Sequence, residues 1–136
     1  MTLGPGRKVR LEIAGGTPGT GYDQLQVNGP VDLGRDAIVE LSLSYLPDQG
    51  QVFILVSNDG VDPVAGAFSG FPEGGTFKLS NHDFAVSYVG GDRNDIVLTC
   101  VGLAKTWTGA VSNLWSASGN WAGGVPVAGD IVVFPT

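Results

Sequence analysis

The stretch Phe84–Thr99, FAVSYVGGDRNDIVLT, constrains the fold more than any other part of the chain. Two apolar runs, FAVSY and DIVLT, flank the polar elbow Gly90-Gly91-Asp92-Arg93-Asn94. Phe84, Val86 and Tyr88 alternate with Ala85 and Ser87, the period of two of a strand with one buried face. Ile96 and Val97 are β-branched and favour strand. The elbow is made of residue types that tolerate positive φ or bond their own backbone. Strand, tight elbow, strand is therefore the unit, and most of the chain repeats it.

Lys8–Ile13 alternates cleanly, with Val9, Leu11 and Ile13 inward and the charges outward. Further strands are expected over Tyr22–Val27, Val31–Leu33, Ala37–Tyr45, Gln51–Val56 and Thr76–Leu79. Val39, Leu41, Leu43 and Tyr45 share one face, and the nearly unbroken apolar run of 51–56 suits a strand buried on both faces. The 22 glycines and 8 prolines interrupt the apolar runs every ten or so positions, and no window has helical spacing. The expectation is an all-β chain. Composition shifts after Gly102, where Trp107, Trp115 and Trp121 cluster. This divides the chain into coils over 1–102 and a Trp-rich junction segment over 103–136, the start of a further module.

Charge excludes some functions. The net charge is −6, and the seven basic residues do not cluster, so no phosphate-binding footprint and no nucleic-acid partner are expected. The carboxylates lie mainly beside Gly or Pro, where they serve as turn residues. No apolar run approaches the length of a membrane span, and Met1-Thr2-Leu3-Gly4 has no apolar core of a signal peptide. The single cysteine, Cys100, excludes an intramolecular disulfide and reads as a buried, inert thiol.

Two all-β arrangements compete. Asn28-Gly29 between alternating runs is a two-residue hairpin signal, favouring an antiparallel β-sandwich. Pro30 removes the first donor of the returning strand. In a β-solenoid the same residues would form an arc, with each strand pairing one coil away. The residues themselves leave both open.

The run Gly21–Gly29 with Val31-Asp32-Leu33-Gly34, together with 50–55, 66–72 and Tyr88–Thr99, resembles the terminal coils of bacterial autotransporter-type surface proteins carrying autotransporter-associated β-strand repeats. The resemblance covers residues 8–101. The tail, with Trp107, Trp115, Trp121, Pro126, Gly129, Asp130 and Phe134, looks like the opening of another such passenger. It implies a right-handed parallel β-helix, export to the cell surface or exterior, a structural or adhesive role, and no catalytic residues. Arg93 departs from the small Gly usual at that elbow position.

Candidate chemistry is sparse. Gly90–Leu98 approximates the calcium nonapeptide, which would make Asp92, Asn94 and Asp95 ligands, but calcium there needs stacked copies and this chain has one. The competing reading is a plain arc in which Asp95 caps backbone donors. His82-Asp83 near Ser80 lacks a nucleophile elbow and a second histidine, so His82 reads as a solvated turn residue and no enzyme is expected. Asp32, Asp36 and Glu40 are close in sequence, with nothing to make them converge as a glycosidase pair. Trp107, Trp115 and Trp121 suit either a core-like junction or a platform for sugar rings. No Asn-linked glycan acceptor sequence occurs. The expected function is a structural module stacking on copies of itself through open β edges. The alternative is an adhesive module binding surface glycans.

Overall fold

The computed structural model describes residues 1–128 and 130–135; Gly129, part of the tail motif, lies outside them with Thr136. Nine strands and one short 3-10 turn make up the described elements. The all-β expectation holds, and no helix is long and apolar enough to cross a membrane among the described residues.

The first half winds. Strand β1 (Lys8–Ile13) lies parallel to β3 (Ile38–Leu43), from Lys8↔Ile38 to Ile13↔Leu43. Strand β2 (Leu25–Val27) lies parallel to β4 (Val52–Asn58), with Leu25 opposite Val56. Single parallel bridges link Thr2 to Asp32 and Asp32 to Ala65. Partners are thus about 30 residues apart throughout, and residues 1–69 make two turns and begin a third. Leu11, Ile13, Val31, Leu33, Ala37 and Val39 are buried along the inside of this winding, while Lys8, Arg10 and Glu12 are exposed. The alternation read from the sequence decides which face is which.

From β4 onward the direction changes. Strand β5 (Thr76–Leu79) pairs antiparallel with β6 (His82–Gly90), β6 with β7 (Asp95–Trp107), and β7 with β4. The sheet order is β2-β4-β7-β6-β5. The right-handed parallel β-helix expected across residues 8–101 is therefore not the fold: the sheets are mixed and mostly antiparallel. The reason lies in two short turns. Ser80-Asn81 and Gly91–Asn94 reverse the chain within a few residues, and a strand so reversed can only lie antiparallel to its predecessor, since parallel neighbours need a crossover of a dozen or more residues. Gly91 is indispensable in the second turn. Its φ is +52°, and a Cβ there would fall on the Asp95 carboxylate. The antiparallel sandwich alternative fails as well, because β1–β3 and β2–β4 are parallel.

One core joins the two halves. Phe53, Leu55, Phe84, Val86, Leu98 and Cys100 from the antiparallel sheet pack in the same cluster as Leu11, Ile13, Leu33 and Val39 from the winding. Tyr22 meets Phe53 edge-on at 5.3 Å between ring centres. Cys100 is fully buried, and burial pushes its thiol pKa up, which keeps it protonated and inert.

Strand β7 runs on through the residues where the composition shifts. Its end pairs antiparallel with β8 (Trp121–Ala122) and parallel with β9 (Ile131–Val133). A single strand thus carries both the main sheet and the Trp-bearing segment.

Candidate functional site

The first turn of the winding has one side against the second turn and one side free. Successive residues of a strand direct their N–H and C=O to opposite edges. Arg7 and Ile13 accept from Ile38 and Ser44 at 2.8 and 2.9 Å, so the odd-numbered residues of β1 face β3. Lys8, Arg10, Glu12 and Ala14 face outward. Glu12 is already occupied: its N–H donates to Asp23 Oδ2 at 2.8 Å and its C=O accepts from Asp23 N–H at 2.9 Å. Ala14 N–H donates to the Gly21 carbonyl at 2.8 Å. That leaves Lys8 and Arg10 open on β1. By the same alternation Thr2 and Gln26 are open on the other two facets, because Leu3 N–H donates to Asp32 and the Val27 carbonyl accepts from Asp59.

The open edge is blunted by charge. Lys8 Nζ and Arg10 Nε both donate to Glu40 one turn below, each at 2.7 Å. These two hydrogen bonds hold the Glu40 carboxyl below its usual pKa. Cations on a short edge are a common guard against indiscriminate strand pairing. The opposite side of the winding differs on one facet: there β4 is followed by β7 and β6, whereas the two-stranded β1–β3 sheet ends at β3.

The three tryptophans pack on one another. Trp121 stands edge-on to Trp107 at 4.9 Å and to Trp115 at 4.6 Å between ring centres. Trp121 is buried and its indole N–H donates to the Trp115 carbonyl at 2.7 Å. Only Trp115 is exposed, at 50 %. Asn120, wholly buried, organises the loop between Trp107 and Trp115: its Oδ1 accepts from Val111 and Ser112 N–H, both at 2.9 Å. Trp121, edge-on to both of the others, makes with them a small core with one face outward.

At the elbow, Asp92 is exposed, whereas Asn94 and Asp95 are buried. Asn94 Nδ2 donates to the carbonyls of Asp59 and Gly60 at 3.1 Å, and Asp95 Oδ1 accepts from Asn58 N–H at 2.8 Å. These two side chains tie the turn to the 58–60 loop. Among the described residues no group of three His, Cys, Asp or Glu side chains is placed to hold a metal ion.

His82 is not the solvated turn residue that the sequence suggests. It opens β6, is 5 % exposed, and neither ring nitrogen has a hydrogen-bond partner. Burial lowers its pKa; Asp83 opposes that shift and Lys105 adds to it. Lys105 was not singled out by sequence reasoning, and Asp130 entered only as a residue of the tail motif. Their side chains are buried, with Lys105 Nζ donating to the Gly123 carbonyl and lying 4.0 Å from Asp130. A lysine directly after the apolar run Val101–Ala104, within the same strand β7, was the available signal.

These features define an all-β chain in which parallel turns meet an antiparallel sheet, with the outer edge of the first turn unpaired on β1 at Lys8 and Arg10. No protein-family model, curated protein or solved structure matches it.

Proposed function

We propose that the chain is a structural module of a secreted bacterial surface or filament-forming protein, and that it ends a run of stacked coils. The free edge of its first turn takes a preceding coil in parallel, and on the β2–β4 facet the antiparallel sheet stops the run. The observation that supports this is the outward-facing backbone of Thr2, Lys8, Arg10 and Gln26, spread over all three facets of one turn. A strand added there gains main-chain bonds on each facet, and the pairing distance of about 30 residues sets its register. Placement outside the cell draws on the likeness to autotransporter passengers alone.

The test is an in-register duplication of residues 1–30 ahead of Met1. The added coil should raise the thermal midpoint and protect the amides of Lys8 and Arg10 from hydrogen exchange. An added segment that exchanges freely and leaves stability unchanged would contradict the reading. Glycan binding through the tryptophans is the second reading; it draws on Trp115 alone, since Trp121 is spent within the cluster.

A further inference from the structure

Of the six asparagines in the chain, one stands apart chemically. Asn58, Asn94 and Asn120 are buried and spend their side-chain amides on carbonyl and hydroxyl partners. Asn81 and Asn113 are exposed, but His82 and Leu114 follow them. Asn28 is exposed and followed by Gly29. Asparagine is thermolabile because the backbone nitrogen of the next residue can attack its side-chain amide. A side chain on that next residue hinders the approach. Gly29 has none, and a Cβ placed there would meet nothing within 4 Å, so its surroundings are open as well.

The attacking nitrogen is restrained. Gly29 N–H donates to Asp59 Oδ1 at 2.5 Å, and Asp59 N–H donates to the Val27 carbonyl at 2.9 Å. One aspartate, a full turn of the winding away, thus grips the chain on both sides of Asn28. A hydrogen bond to a carboxylate is stronger than one between neutral groups, and this one holds the proton that the Gly29 nitrogen must lose. Attack therefore waits for local opening of the contact.

We infer that Asn28 is a site of spontaneous deamidation, that Asp59 sets its rate, and that conversion loosens the first turn of the winding from the second. The Gly29 nitrogen bonds to Asn28 Cγ and gives its proton to solvent. The Cγ–Nδ2 bond breaks, and the departing nitrogen takes a proton from solvent and leaves as ammonia. Water then opens the resulting succinimide at either carbonyl. Opening at Cγ leaves aspartate at position 28; opening at the main-chain carbonyl leaves isoaspartate, which lengthens the backbone by one methylene. Either product sets a second carboxylate near that of Asp59, where like charges repel. The inference is independent of coil stacking.

The experiment incubates the full chain in warm, mildly alkaline buffer and maps its peptides by mass spectrometry, reading the gain of mass from amide to acid. Asn28 should convert first, with Asn81 and Asn113 several-fold slower. Asp59→Ala should speed conversion of Asn28 several-fold and leave Asn81 and Asn113 at their parental rates. A rise at all three would mean that the variant has unfolded. Asp59→Ser, which keeps a neutral acceptor, then decides: it should speed Asn28 alone. Converted chain, separated by anion exchange, should lose hydrogen-exchange protection at the Gly29 amide. No conversion at Asn28 would overturn the inference. So would equal Asn28 rates in the parent and a folded Asp59 variant, or a Gly29 amide still protected after conversion.

Discussion

Residues 1–69 and residues 70–107 are written in the same residues and fold in opposite senses. Both alternate apolar and polar positions, and both turn on Gly, Asn and Asp. The Asn28-Gly29-Pro30 turn and the Gly90–Asn94 elbow differ in where their bonds go. At Asn28-Gly29-Pro30, Gly29 N–H donates to the Asp59 carboxylate at 2.5 Å and the Pro30 carbonyl takes the Met1 ammonium at 2.6 Å, both about 30 residues away. At the elbow, Arg93 N–H returns to the Gly90 carbonyl at 2.8 Å. Of these two turns, the one that bonds across the winding makes an arc between parallel neighbours, and the elbow, closed on itself between β6 and β7, makes a hairpin.

The sharpest way to break this comparison is to ask whether the two regions fold apart. They share one core, so Phe84→Ala, a fully buried ring in β6, should cost about 3–5 kcal/mol and destabilise both regions together. Urea unfolding followed by fluorescence and by circular dichroism should give coincident transitions. Separate midpoints would make the regions independent domains.

A smaller contrast separates the two kinds of turn. Gly29 and Gly91 both have positive φ, +88° and +52°, but a Cβ at Gly29 meets nothing within 4 Å. Gly29→Ala should cost on the order of 1 kcal/mol, for backbone strain alone. Gly91→Ala adds an overlap with Asp95 and should cost about twice that or more, with loss of the Asn58 contact. Equal costs in denaturant melts would mean that the hairpin does not depend on its close packing.

The smallest effect is a pH dependence. The ordinary pKa of His82 is 6.5 and burial lowers it in the fold. The folded chain thus binds this proton less readily than the unfolded chain, and stability is full above about pH 6.5 and declines as pH falls below it. The Asp83 carboxylate, itself paired with Lys78 at 3.1 Å, limits the loss. Unfolding midpoints of His82→Gln should be flatter than those of the parent between about pH 7.5 and 5.5. Parallel profiles would remove His82 from the pH response.

The sequence makes strand legible and strand direction illegible, for a physical reason. Side chains alternate identically in parallel and antiparallel strands, so Val9, Leu11 and Ile13 announce an inward face but say nothing of a neighbour. Direction is set by the partner of the turn, and Asp59 is too far from Gly29 in sequence to be seen as that partner. The same distance hides the site. Nothing local in Asp23 marks it as the cover of Glu12, and nothing in His82-Asp83 reveals that strand pairing buries the imidazole. The tryptophans show as a cluster in sequence, but their perpendicular packing depends on β8 returning to β7. Asn94 and Asp95 look like ligands in isolation and become ties to residues 58–60 once the loops meet.

Residue-resolved amide exchange of β1 in the isolated chain tests most directly whether the first turn is paired on one side only. Val9, Leu11 and Ile13 should be protected by β3 and Glu12 by Asp23, while Lys8 and Arg10 exchange at rates near those of an open chain. Protection of Lys8 and Arg10 as strong as that of Val9 and Leu11 would contradict a free edge.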